Sequence, residues 1–166
     1  MVEETLRSDF SINDYAVFRR VLERAARIVY LGDNTGGIVF DRILIETLLR
    51  LGTFEVVFVV RGVPIINDAT REDAHFVGLD RIVRVIPNGS DAPATVLSEC
   101  SPEMLEVYHA ADLVIVKGQG SYESLSEEQG PLFFLLKVKC AVVTRDLGVE
   151  VGDMILKGGN SVPCDV

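Results

Sequence analysis

Carboxylates, amides, cations and glycines recur in four short loops of this sequence. The first is Gly32-Asp33-Asn34-Thr35-Gly36-Gly37 and the second runs from Arg61 to Asn67-Asp68. The third is Asn88-Gly89-Ser90-Asp91 and the fourth is Lys117-Gly118-Gln119. Carboxylate and amide oxygens are hard ligands suited to Mg²⁺ or Mn²⁺, and Asp33, Asn34 and Asp68 can supply them. No His or Cys lies in these loops, which argues against zinc. Arg61 and Lys117 are cations placed to neutralise phosphate charge. Gly36 and Gly37 at a helix start, Gly89 and Gly118 offer backbone N–H groups that also bind anions. The combination reads as metal-assisted phosphoryl chemistry. A plainer reading stands beside it: Asp33 or Asn34, and Asp68, could simply cap helices, and Lys117 could be solvated.

The loops must be brought together for any of this to matter. Each follows a short apolar run: Ile28–Leu31, Val56–Val60, Ile82–Ile86 and Leu113–Val116. Such runs suit strands buried on both faces. Helical stretches lie between them, over about 12–27, 38–51, 71–77 and 101–111. Gly52 sits where a left-handed C′ glycine belongs. Thr70 and Asp73 have the spacing of a capping box, and Ser101-Pro102 opens its helix as N-cap and N1. An apolar helix is expected over 131–137, a fifth strand over Ala141–Thr144, and extended segments over 149–156. Alternating strands and helices imply an α/β domain with a mainly parallel sheet and helices on both faces. All four loops then share one edge, where ligands of open α/β sheets bind.

Composition narrows the partners. The chain has 166 residues, enough for one domain with a sizeable core. Its net charge is −9, which argues against nucleic acid and anionic membranes. A mean hydropathy of +0.29 alongside 25% charged residues fits a sheet covered on both faces. No apolar run approaches the ~18 residues of a membrane span, and the polar N-terminus does not read as a signal peptide. A cytoplasmic location is the expectation. Cys100, Cys140 and Cys164 fit reduced thiols, Cys140 as a small buried hydrophobe. His75 and His109 fall on helices away from the strand ends and read as structural. The glycines match neither G-x-G-x-x-G nor the Walker pattern.

Five segments occur in order: LGDNTGGIVFDRILIETL, VVRGVPIINDATREDA, PNGSDAPAT, ADLVIVKGQGSYESL and FFLLKVKCAVV. Together they resemble the metal-dependent damage-control phosphatase family, also called domain of unknown function 89, over about residues 27–156. The resemblance implies a Rossmann-like three-layer sandwich that hydrolyses small phosphorylated metabolites, such as sugar phosphates or damaged phosphometabolites. It implies a divalent metal (Mn, Mg, Co or Ni) held by Asp33, Asn34 and Asp68. Asp33 and Lys117 would be catalytic. Gly36, Arg61, Asn67, Ser90, Asp91, Lys117, Gly118 and Gln119 would bind substrate or phosphate. Whether water or Asp33 attacks stays open.

The chain departs from the family pattern in three places. Gly37 stands where the family usually has Glu, and Ser121 where it usually has Asn. Only about 26 residues precede the first strand, in place of a sizeable helical domain over the cleft. The expected organisation is a helical lead-in over 1–26, the α/β domain over 27–157 and a flexible tail over 158–166. The shortened start makes a homodimer, or a separate helical partner, an expected cover for the cleft. A non-catalytic module that binds metal and phosphometabolite, or serves as a subunit interface, is the alternative. A carboxyl methyltransferase using S-adenosylmethionine is a third, on fold type alone; the first turn lacks that cofactor's usual G-x-G.

Overall fold

Two apolar faces of one sheet organise the molecule. In the computed structural model, which describes residues 9–162, β2 (Arg27–Leu31) alternates its side chains between two cores. Val29 and Leu31 enter one, Ile28 and Tyr30 the other. That is the period-2 alternation of a strand buried on both sides. β3 (Glu55–Val60), β4 (Arg84–Pro87) and β5 (Leu113–Lys117) follow in parallel register with it. The sheet order is β1 (Ile12–Asn13), β7 (Met154–Gly158), β6 (Leu132–Lys137), β5, β2, β3, β4. Helices α1 (Tyr15–Leu22), α2 (Ile38–Leu51), α3 (Arg71–Phe76), α4 (Pro102–His109) and α5 (Gln119–Leu125) alternate with the strands, as the sequence pattern requires.

The expected caps form. Thr70 Oγ1 accepts from the Asp73 N–H while Asp73 Oδ2 accepts from the Thr70 N–H. Ser101 Oγ accepts from the Met104 N–H, with Pro102 at the first helical position. Gly52 is different: it ends α2 in an extended conformation, not a left-handed one.

Two neighbouring elements exchange the types expected of them. Residues 132–137 form strand β6 (Leu132–Lys137), not a helix, and residues 141–147 form helix α6 (Ala141–Leu147), not a strand. In β6, Leu132, Phe134 and Leu136 face one core while Phe133 and Leu135 face the other. A continuous apolar run buried on both sides carries no period, so helix and strand look alike in sequence. Ala141-Val142-Val143-Thr144 is rich in β-branched residues, yet only one side meets the core: Val143 is buried and Val142 is 69% exposed. Packing overrides propensity there.

The sheet is closed by the two ends of the described chain. β7 (Met154–Gly158) runs antiparallel to β6, and β1 (Ile12–Asn13) pairs in parallel with β7. The tail expected to be loose from Gly158 is packed as far as Val162: Gly159 N–H donates to Leu132 O, and Val162 is buried. Residues 163–166, with Cys164, and the start of the lead-in, residues 1–8, lie outside the described residues. No helix among the described residues is long and apolar enough to cross a membrane.

Candidate active site

The turn after β2 and the loop after β3 are zipped together at the carboxyl edge of the sheet. Ala69 N–H donates to Asp33 O at 2.8 Å and Thr35 N–H to Asn67 O at 2.9 Å, so Asn34 and Asp68 form an isolated antiparallel bridge. This pairing places Asp33 and Asp68 on the wall of one cleft of about 500 Å³. Asn67 lines it too, as do Ser121 and Lys139. Glycine is required at 118: its φ is +85°, and the Asp33 carboxylate packs directly over its Cα.

The two carboxylates are differently held. Asp68 Oδ2 accepts from Arg61 Nε at 2.5 Å. Arg61 is only 5% exposed, and Nη1 also donates to Ala94 O and to Thr95 Oγ1. Its guanidinium thus orients Asp68 and ties down the loop before Thr95, while Arg61 itself also lines the cleft. Asp33 Oδ2 accepts from Asn34 Nδ2 at 2.9 Å. Burial pushes the Asp33 carboxyl up. The Asn34 hydrogen bond and the charge of Lys139 oppose that, Asp68 adds to it, and Lys117 opposes it.

Several expected ligands lie elsewhere or are already engaged. Asn34 Oδ1 accepts from the Gly37 N–H at 2.8 Å, so the amide closes the turn ahead of α2 and braces Asp33 at once. Gly118 N–H donates to Leu135 O and is not free for an anion. Gln119 is bound on both ends of its amide, by Lys139 N–H and by Glu123 and Cys140. Ser90 and Asp91 line a second cleft with Gly62 and Glu99, where Ser90 Oγ accepts from Ala92 N–H. Lys117 Nζ donates to Asp41 on α2 at 2.9 Å. The turn thus brings Gly36 beside Asn34 Oδ1, and the cations on the cleft wall are Arg61 and Lys139, not Lys117. His75 pairs with Asp80, and neither histidine lines this cleft.

Lys139 was hidden in sequence by the misassigned element before it. Once 132–137 is a strand, Lys139 lies two residues beyond a fifth parallel strand end, where the same edge rule applies. Ser121 is 1% exposed, and its Oγ has no hydrogen-bond partner among the described residues. A buried hydroxyl without a partner at a cleft wall is left for a ligand or water.

The donor chemistry fits a hard cation. Two carboxylates sit side by side, one raised by burial and by the other's charge. Among the described residues no group of three or more His, Cys, Asp or Glu side chains gathers to hold a metal. One or two carboxylates, completed by water and phosphate oxygens, is the usual provision for Mg²⁺-like ions.

A mainly parallel α/β sheet with a polar, two-carboxylate cleft at its strand ends places this chain among the open α/β proteins, whose ligand sites lie at that edge. Residues 1–155 match the model of the damage-control phosphatase ARMT1-like domain, and the chain belongs to this family. It is 41% identical over 162 residues to an uncharacterized protein of Methanocaldococcus jannaschii, covering 94% of this chain and 53% of that one. It is 39% identical over 155 residues to a damage-control phosphatase of Pyrococcus horikoshii, covering 93% and 54%. The crystal structure of a DUF89 family protein from Pyrococcus horikoshii superposes with a TM-score of 0.91 at 38% identity, over 96% of this chain and 56% of that one. The chain therefore spans about half the length of the curated relatives it matches.

Proposed function

We propose that the cleft hydrolyses a phosphate monoester of a small metabolite. The observation that carries this reading is the pair of carboxylates, Asp33 and Asp68, facing one cleft with Lys139 on its wall. The names of the relatives, damage-control phosphatases, support it. Asp33 and Asp68 would hold a divalent cation, which polarises a phosphoryl oxygen and activates water when bound. Arg61 fixes the orientation of Asp68, and Asn34 does the same for Asp33. Lys139 and, from behind the turn, Lys117 supply positive charge against the phosphoryl oxygens. Hydrolysis breaks the P–O ester bond; water gives its hydroxyl to phosphorus and a proton to the departing alcohol.

The test is phosphate release from a panel of sugar phosphates with Mn²⁺, Mg²⁺, Co²⁺ or Ni²⁺ added. Release that is lost in Asp33→Ala and Lys117→Ala supports the reading. No release with any metal across the panel overturns it.

A second reading, a binding module without turnover, is favoured by one observation. Gly37 leaves the turn with Asp33 as its one carboxylate, and its N–H is spent on Asn34. Calorimetry showing tight phosphometabolite binding beside zero turnover would select it. The exposed Phe40, Ile43 and Leu51 of α2 support a further part of the proposal, that a second copy or a separate helical partner covers this side. Sedimentation of the purified chain, alone and with candidate partners, tests that part.

A further inference from the structure

Asp41 is a carboxylate in the first turn of α2, where that helix meets the core. It is 1% exposed. Its Oδ1 accepts two hydrogen bonds, from the Tyr30 hydroxyl at 2.7 Å and from Lys117 Nζ at 2.9 Å. Tyr30 is on β2 and Lys117 ends β5, the neighbouring strand. Burial, and then the charge of Asp41, push the Tyr30 hydroxyl well above its ordinary range, so it remains a donor.

Packing alone does not account for an acid here. A buried ion pair is often no more stabilising than apolar side chains of the same volume. What the acid supplies is direction. Lysine is a flexible stem with a compact charge and three rotatable donors. Lys117 is near enough for its charge to act on the Asp33 carboxyl, yet its ammonium bonds Asp41 and not Asp33. Tyr30 in turn fixes which carboxylate oxygen faces the lysine.

We propose that Asp41 is a positioning residue that holds the Lys117 ammonium in one orientation behind the Asp33 turn, with Tyr30 as its brace. A charge fixed in advance stabilises a transition state without reorganising when the reaction occurs. The role assigned to Lys117 in turnover rests on the phosphatase reading; the fixing of its ammonium does not.

Two measurements test this. The first is low-conversion acetylation of the intact chain, read residue by residue by mass spectrometry. Lys117 should react at least tenfold more slowly than exposed Lys137 in the wild-type protein. Asp41→Asn should raise the Lys117 rate at least fivefold, leaving Lys137 unchanged. Tyr30→Phe, which removes the brace but keeps the ion pair, should raise it by an intermediate amount, more than twofold but less than Asp41→Asn. Equal rates at Lys117 and Lys137 in the wild type overturn the proposal without any variant. So does an unchanged Lys117 rate in a folded Asp41→Asn protein.

The second measurement is kinetic. Asp41→Asn and Lys117→Met should each lower kcat at least tenfold, and the double variant should fall no further than Lys117→Met alone. Additive losses overturn the proposal, because a merely structural carboxylate would act independently of the lysine. A wild-type protein that releases no phosphate counts against the phosphatase reading, and the acetylation rates then decide this one.

Discussion

A Cβ atom at Gly118 would lie 2.3 Å from Cγ of Asp33. The end of β5 and the turn after β2 are thus in such close contact that no side chain fits between them. Gly118 is also left-handed, at φ +85°. Gly118→Ala should therefore displace Asp33 as well as strain the backbone. A loss of about 1–2 kcal/mol is expected from the conformation alone. On the proposed phosphatase reading, phosphate release should also fall at least a hundredfold. Chemical denaturation and the sugar-phosphate assay check the two effects separately.

Arg61 and Asp68 form a nearly buried pair at 2.5 Å, with side-chain exposures of 5% and 16%. Removing one partner strands the other. Arg61→Met should destabilise the fold by about 3 kcal/mol, read as a lower denaturation midpoint. An arginine whose main duty was to meet substrate would cost little stability when lost, so the size of the change identifies its role.

Asp112 Oδ2 accepts the N–H groups of Ala26 and Arg27 at 3.0 and 2.8 Å, joining the starts of β5 and β2. Those backbone donors, first Arg27 and then Ala26, hold the carboxyl below its ordinary range. A carboxyl lowered on folding stabilises above its unfolded value and loses that contribution as pH falls through the folded one. Asp112→Ala should cost about 1 kcal/mol at neutral pH. The gap between variant and wild type should narrow as pH drops through and below the usual carboxylate range. Urea unfolding across that range measures it.

The two described cysteines should separate cleanly under alkylation. The backbone N–H groups of Val143 and then Val142 pull the Cys140 thiol down, with Gln119 Nε2 at 3.2 Å from its sulfur. Burial pushes the Cys100 thiol up. The thiolate is the reactive form. Iodoacetamide at neutral pH should label Cys140 before Cys100 in the folded protein, by peptide mass spectrometry. The expectation of Cys140 as a small buried hydrophobe does not match its place at the start of α6, where it is only partly buried.

The sequence made the central sheet readable because β2, β3 and β5 are apolar on both faces and end in polar, glycine-containing loops. It made Asp33 and Asp68 readable for the same reason: the strand-end rule acts on loops, not on motifs. It could not separate β6 from α6, since Phe133-Phe134-Leu135-Leu136 has no period and Val142-Val143 has the wrong propensity. That exchange concealed Lys139. Nor could it show how donors are spent. Arg61 and Gln119 looked free in a string of letters, and only the folded chain shows Asp68, Ala94, Glu123 and Cys140 against them. Asp41 sat unnoticed in an otherwise apolar helical stripe, because its partners are 11 and 76 residues away.

The reversed direction of β7 sets where further polypeptide can be attached. Met154 pairs with Lys137 at the cleft edge, while Gly158 pairs with Phe133 at the other. Ser11 N–H donates to Met154 O, so the described chain enters on the cleft side. It leaves from the opposite side, where Gly159 meets Leu132. A segment joined ahead of residue 9 therefore starts at the sheet edge that carries the cleft, on the outermost strand, and one joined after residue 162 starts from the opposite edge.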